Sequence, residues 1–313
     1  MKARLSFFIA FITTHSLFSQ QPVLTKMPIY AWRSSDPFFN PQTNKLVYYA
    51  IDTWVDGQRY GNAIIVRDME TQKETVVDTK TINPALGWID PSHLLIYRAY
   101  PISDSTQKRK LFRRDYGRKL YQLNILDQTK DYISSISLPA TDSRIQVSGE
   151  FIVYEAGFSR ETKVARLNKK TGLTIEYEQL RGLDIGYYNL AYRSSDDHLC
   201  FVEFDKGFGY TLHSLKNGIL NTLVDSPYSI YSLVFDHYSN RIFYARRDYL
   251  GQESIYSFDF DKSEERQLYQ LGAEHDCWDI EPYRKNMLIL GLGVSAERRS
   301  IRQHKGGFVA SAV

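Results

Sequence analysis

The chain has 313 residues, of which 43% are apolar and 24% charged, enough to bury a sizeable core and too apolar for a disordered chain. A formal charge of +3 excludes nucleic acid as a partner held by general electrostatic attraction. Tyr and Phe number 23 and 17; that aromatic excess favours strands, and no helix-period apolar stripe outlasts about three turns.

The first predicted element is a leader. MKARLSFFIAFITTHSLFSQQ opens with Lys2 and Arg4, runs apolar from Phe7 to Ile12, and turns small and polar by Ser19. This is the layout of a secretory signal peptide cut near Ser19–Gln20, and the apolar run is too short to span a bilayer. A buried first strand is the competing reading, and the flanking positive charges argue against it. No cysteine follows the apolar run, which argues against a lipid anchor of the bacterial lipoprotein kind. No later stretch is long enough for a membrane helix. The expected organisation is a signal peptide over 1–19 and one exported, soluble domain over 20–313. Loss of Lys2 and Arg4 leaves that domain near +1.

Six apolar bursts then follow in order: KLVYYA, HLLIYRA, EFIVYEA, HLCFVEF, RIFYARR and NMLILGL. Their first apolar residues are Leu46, Leu94, Phe151, Leu199, Ile242 and Met287, so the spacings are 48, 57, 48, 43 and 45. A short strand precedes each burst (PFFNP, LGWID, RIQVS, NLAYR, SLVFD, CWDIE), with a polar turn between the two. A further strand follows each burst: AIIVRDM, LYQLNIL, VARLN, YTLHSL, IYSFDF and SIRQH. Tight polar turns then lead to an outer strand: ETVVD, DYISSI, LTIEYE, ILNTLV, RQLYQL and FVASAV. Four strands per unit at a period of 40–50 residues mark a β-propeller. The bursts read as continuous apolar runs because both faces of such a strand are buried between neighbouring blades. The predicted fold is all-β: a six-bladed β-propeller of four-stranded antiparallel blades with almost no helix. For the last blade, a local hairpin from SIRQH through KGG to FVASAV is the shorter connection, and PVLTK near residue 23 competes for its outer slot.

The repeated segments GNAIIVRDMETQKE, GRKLYQLNILDQTKD and GQESIYSFDFDKSEE resemble the repeats of TolB-like propellers. The resemblance spans Asp36 to Val313. The typical SPDG turn stands here only as NPQTNK and DPSH, and no segment corresponds to TolB's separate N-terminal domain. The resemblance implies the fold and export, and a shared fold does not imply a shared role.

No H-E-x-x-H, G-x-S-x-G or C-x-x-C is present, so no catalytic or metal-ligating constellation assembles from motifs, and no cofactor is expected. His275 with Asp276 and Asp279 is the nearest approach to one; a solvated loop histidine is the simpler reading. The glycines of GLGVSAERR lack the following helix and the Lys-Ser/Thr of a phosphate loop. Cys200 and Cys277 fall in non-adjacent units and are expected to be buried thiols, although an exported protein permits a disulfide between them.

The loops carry the functional signal. In a propeller, the connection after each burst strand lies at the same end as the links between blades. Here it is rich in aromatics and arginine: Trp54 and Tyr60, then Phe208, then Arg246 and Tyr249. The long insertion over 100–118 adds Arg113, Arg114 and Tyr116 and is strongly basic, which suits an anionic or acidic partner. Tyr, Trp and Arg are enriched at binding hot spots, and aromatic faces suit sugar rings. Each such aromatic is equally explained as a plug of the ring. Together with His275 these residues form the candidate binding set. The expected function is a non-enzymatic exported module that binds an envelope protein or a glycan in the periplasm or outside the cell. A propeller lyase or hydrolase acting on carbohydrate is the alternative; Asp276, His275 and Arg246 around one cavity would favour it.

Overall fold

A computed structural model describes residues 8–13, 24–27, 33–79, 86–101, 116–137, 145–156, 163–205, 209–272, 275–285 and 287–294. Two strands come first, β1 (Phe8–Thr13) and β2 (Leu24–Met27). The first sheet follows with β3 (Arg33–Asn40), β4 (Lys45–Val55), β5 (Gln58–Asp68) and β6 (Glu74–Asp78). The second holds β7 (Gly87–Trp88), β8 (His93–Pro101), β9 (Tyr116–Asn124) and β10 (Lys130–Ser137). The third holds β11 (Ile145–Ser148), β12 (Phe151–Ala156), β13 (Lys163–Asn168) and β14 (Thr174–Glu176). The fourth holds β15 (Ile185–Arg193), β16 (His198–Asp205), β17 (Gly209–Lys216) and β18 (Ile219–Ser226). The fifth holds β19 (Ile230–Phe235), β20 (Arg241–Arg247), β21 (Glu253–Asp259) and β22 (Glu264–Gln270). The last two strands are β23 (His275–Arg284) and β24 (Met287–Val294). Helix is confined, among the described residues, to the single turns Glu178–Leu180 and Ser194–Asp196.

Every sheet is four-stranded and antiparallel, and five of them take their strands in chain order. These are the blades of an all-β propeller. The sixth sheet departs from the rule: its order is β2-β1-β24-β23, with Phe8 opposite Leu292 and Thr13 opposite Met287. SIRQH and FVASAV, expected in its last two slots, lie outside the described residues. Residues Phe8–Thr13 and Leu24–Met27, both from the start of the chain, stand there instead. The reason is chemical: FIAFIT has the apolar, β-prone composition that a central slot of a sheet selects.

The burst strands are buried on both faces, as their composition requires. In β4, Leu46, Val47, Tyr48, Tyr49 and Ala50 are all buried. Outer strands are the opposite case, with all three residues of β14 exposed. The chain divides into two compact units, residues 85–227 and the remainder. In the first of these, Leu95 and Leu120 of the second sheet pack on Ile152 and Leu167 of the third. Val153 and Val164 of the third pack on Leu199 and Phe201 of the fourth. In the other unit, Ala245 and Ile255 of the fifth sheet pack on Cys277 and Leu290 of the last. The last sheet in turn gives Tyr283 and Ile289 to a cluster with Leu46, Tyr48 and Ile65 of the first.

One turn recurs at the ends of the third-slot strands. Asp68 accepts the N–H groups of Glu70 and Thr71 at 3.0 and 2.8 Å. Asn168 holds Lys170 and Thr171 in the same way at 2.9 and 3.0 Å, and Asp259 holds Asp261 and Lys262 at 3.0 and 3.2 Å. Asn124 accepts from Leu126 at 2.9 Å. In each case the residue four positions on is left-handed: Gln72, Gln128, Gly172 and Ser263, with φ of 61°, 62°, 70° and 53°. The side-chain oxygen stands in for a backbone acceptor and lets the chain reverse without a glycine at three of the four sites.

A second device spans the blade. Tyr48 on β4 is buried and donates its hydroxyl to Glu74 of β6 at 2.6 Å. Tyr244 on β20 donates to Glu265 of β22 in the same manner. A carboxylate on the outer strand thus satisfies a phenol buried two strands further in.

Candidate functional site

The two ends of the blades differ in what they present. At one end, the turn between inner and burst strands bonds the turn leading to the outer strand: Met69 N–H reaches Asn44 O at 3.0 Å, and Phe260 N–H reaches Asn240 O at 3.0 Å. At the other, the chain leaving the burst strand bonds the link between blades. Arg247 N–H donates to Ser229 O at 3.0 Å, and Phe204 N–H to Asp184 O at 2.8 Å. The connections after the burst strands therefore share an end with the blade links, as the propeller topology requires.

The best-built feature at that end is the 247–253 loop of the fifth sheet. Asp248 organises it: its carboxylate accepts the N–H groups of Leu250 and Gln252, each at 2.9 Å. Its backbone closes the loop, donating to Gln252 O at 2.9 Å and accepting from Gly251 at 3.1 Å. Gly251 sits at φ +75°, and a Cβ there would meet nothing within 4 Å, so glycine is there for the backbone angle alone. Beneath the loop, Arg247 Nε donates to Glu253 at 2.8 Å. Glu253 is buried and also accepts the N–H of Cys277 from the last sheet. A buried carboxylate with these partners fixes both ends of the loop.

The held loop presents apolar surface. Tyr249 and Leu250 are 77% and 66% exposed. The Tyr249 ring lies 6.2 Å from that of Tyr228, from the link before β19, at an interplanar angle of 32°. Two phenol rings held by separate segments, with a leucine beside them, form a preorganised amphipathic platform.

Other candidate residues fall into four groups. Trp54 is 46% exposed at the end of β4, opposite Arg59 across a tight hairpin whose Asp56 and Gly57 both have positive φ, 48° and 78°. Arg59 is engaged with Asp52 at 2.6 Å. Tyr60 and Arg246 are turned to structural work. Tyr60 packs against the core between the first and last sheets. Arg246 donates to Glu265 at 3.0 Å and lies 3.8 Å over the Tyr256 ring, so it braces the outer half of its own sheet. Arg113, Arg114 and Phe208 lie outside the described residues. Tyr116 opens β9 opposite Pro101, and His275 opens β23 opposite Val294. The platform partner Tyr228 and the exposed Leu250 were absent from the sequence-derived set. Asp-x-x-Gly in DYLG was the available signal for a tight loop that throws its central residues outward.

Among the described side chains, four histidines are each held by neighbours. His93 Nδ1 is 2.9 Å from Asp90, and His213 Nε2 is 3.0 Å from Glu203. His198 is the most suggestive, because Ser214 Oγ lies 2.7 Å from its Nε2 and Cys200 Sγ lies 3.8 Å away. The geometry imitates a nucleophile beside a base, and the chemistry opposes it. Arg193 places a guanidinium nitrogen 3.2 Å from His198 Nδ1. A guanidinium only donates, so Nδ1 is assigned as acceptor and Nε2–H as donor to Ser214. That tautomer cannot take the serine proton. Burial, reinforced by the Arg193 charge, pulls His198 down to about 4, and burial pushes the Cys200 thiol up. Ser214, His198 and Cys200 are all buried. Cys200 and Cys277 are buried thiols with no disulfide between them, as expected from their separate sheets. Among the described residues no three His, Cys, Asp or Glu side chains form a metal-sized cluster, and no helix is long and apolar enough to cross a membrane.

The chain is thus a β-propeller of the TolB-like kind in fold. No protein-family model matches it, and no curated protein matches it. Solved structures do. Putative TolB from Agrobacterium tumefaciens aligns over 93% of this chain and 99% of its own, with 10% identity and a TM-score of 0.59. TolB from Acinetobacter baumannii aligns over 93% of this chain and 65% of its own, with 13% identity and a TM-score of 0.53. The acylaminoacyl peptidase of Pyrococcus horikoshii aligns over 86% of this chain and 42% of its own, with 14% identity and a TM-score of 0.55. At these identities the likeness is one of fold. The chain spans about two-fifths of the length of the peptidase.

Proposed function

We propose that this chain is an exported, non-enzymatic recognition module whose six sheets are propeller blades. It binds an envelope protein or a glycan at the end that carries the blade links and the connections after the burst strands. The observation that carries this reading is the Tyr249–Leu250 apex, held by Asp248 and seated against Tyr228. An exposed aromatic on a flexible loop needs no explanation. One on a loop fixed by four hydrogen bonds of Asp248 and braced by the Arg247–Glu253 ion pair is shaped to meet something. Trp54 from another sheet adds a second exposed aromatic at the same end of its own hairpin. Rigid aromatic anchors bind with little loss of conformational entropy.

Export and a periplasmic or extracellular location rest on the leader, with cleavage near Ser19–Gln20 leaving the domain over 20–313. The basic insertion over 100–118 supplies charge for an acidic partner. Commitment of Arg246 to Glu265, and the His198 tautomer, weigh for binding over catalysis. The test is affinity capture from an envelope extract beside a glycan array, run with the natural chain and with Tyr249→Ala. A protein or glycan retained by the first and lost by the second supports the reading. Equal retention by both removes the apex from it.

A further inference from the structure

The last sheet draws its strands from both ends of the chain, in the order β2-β1-β24-β23. In it β1 has a partner along each edge. Ile9 to Ile12 lie opposite Met27 to Leu24 of β2, and Phe8 to Thr13 lie opposite Leu292 to Met287 of β24. This strand takes in the apolar run of the leader, Phe7 to Ile12, but for its first residue. The expected cut near Ser19–Gln20 falls between β1 and β2, among residues outside the described ones.

We infer that folding hides the leader, so that export and processing have to act before the last sheet forms. The inference rests on the reading of residues 1–19 as a leader. A leader works through its apolar run, which has to leave the protein for a membrane or a receptor. Withdrawing Phe8–Thr13 from the fold breaks two ladders at once. It also bares the edge of β24, where Leu288, Ile289 and Leu290 are buried, and an open apolar edge is a hazard that folded chains avoid. The partner strand does not move away with the leader. Its other edge is paired to β23, Ile289 packs with Leu46 and Tyr48 of the first sheet, and Leu290 packs with Ala245 and Ile255 of the fifth. Opening is therefore a local unfolding event against a fixed core, and the open form is sparsely populated. The order of synthesis gives the leader its chance. β1 is made first and β24 almost last. At about 5–20 residues per second the leader stands without that partner for roughly 10–60 seconds. Completion of β24 closes this window.

A bacterial leader peptidase in nonionic detergent tests this on the full chain, Met1 to Val313, in two arms. In one the peptidase meets the chain on dilution from urea; in the other it is added after refolding. The freshly diluted chain should be cut near Ser19–Gln20, and the refolded chain about 10-fold or more slowly, because cleavage follows the population of the open form. Hydrogen exchange should find the amides of residues 8–13 protected in the refolded chain. Ala10→Pro removes a ladder donor within β1. It should abolish that protection while the other sheets keep theirs, and bring the two cleavage rates together. Equal cleavage of the natural chain in both arms, or rapid exchange over residues 8–13, would overturn the inference and leave the leader reading intact. No cut in either arm would overturn the leader reading, and the inference with it. The two arms on the natural chain decide the matter even where the proline impairs folding or recognition by the peptidase.

Discussion

Glu281, on the inner strand β23 of the last sheet, accepts the backbone N–H of Phe39 on the inner strand β3 of the first, at 3.0 Å and out of solvent. Phe39 also meets Tyr283 edge-on, with ring centroids 4.7 Å apart. The two residues are 242 positions apart, so one carboxylate joins the late and early parts of the chain. His237, from the turn after β19, approaches the same carboxylate at 3.5 Å.

Replacing Glu281 tests that joint. Glu281→Ala leaves the buried Phe39 N–H without its acceptor, at a cost of about 1–3 kcal/mol. Glu281→Gln keeps an acceptor of the same shape and should cost less. Urea denaturation of both variants checks the order. Equal stability of Glu281→Ala and the natural chain would remove the bond from the account.

His237 makes the joint sensitive to pH. Burial disfavours its charged form, but the hydrogen bond and charge of Glu281, with a smaller contribution from Asp236, outweigh that and raise its pKa above 6.5. A raised histidine stabilises the fold fully below its unfolded value of about 6.5 and loses that contribution as pH rises through the folded one. His237 is open to solvent on one side, so the effect is modest and salt-dependent. The stability difference between the natural chain and His237→Gln should therefore be largest in mild acid and vanish in alkali. A difference that does not change with pH contradicts the assignment.

The blade-spanning phenols make a third prediction. Tyr244→Phe removes one donor from a carboxylate that keeps Arg246, and should cost about 1 kcal/mol. Glu265→Ala strands both Tyr244 and Arg246 and should cost more. The double variant Tyr244→Phe, Glu265→Ala should fall short of the sum, since both changes break one bond. Full additivity in denaturation experiments would mean that the bond contributes nothing.

Much of the fold was legible in the sequence for a reason visible in these residues. Burst strands such as KLVYYA declare themselves because both faces are buried, and turns such as VDGQ and KNGI carry the Asp-Gly and Asn-Gly that a two-residue hairpin requires; Asn217 and Gly218 both have positive φ. The last sheet was misread because FIAFIT satisfies two codes at once, that of a leader and that of a central strand. The site was read less well. Tyr60 and Arg246 are the right residue types in the right loops, yet Tyr60 packs inward and Arg246 turns to Glu265. Side-chain direction at the end of a strand depends on a neighbouring strand that periodicity does not identify. Tyr249 stands exposed because an aromatic in the five-residue loop between β20 and β21 has no core to enter.

The thiols offer a simple check on strand assignment. Cys200 and Cys277 are buried in different sheets, so the folded protein should resist a thiol reagent. The denatured, unreduced protein should take up two equivalents. Uptake of none after denaturation would show a disulfide and contradict the placement.

The central claim is that the end bearing Tyr249 and Trp54 binds the partner. Its most direct measurement is the affinity of the captured ligand for single variants at the two ends of the same sheets. Tyr249→Ala and Trp54→Ala should each weaken binding by about 5-fold or more, roughly 1 kcal/mol, with folding retained. Tyr238→Ala and Lys262→Ala, in exposed turns at the opposite end of the fifth sheet, should leave affinity unchanged. Loss of binding in Tyr238→Ala or Lys262→Ala, with Tyr249→Ala and Trp54→Ala at natural affinity, would place the site at the wrong end and contradict the account.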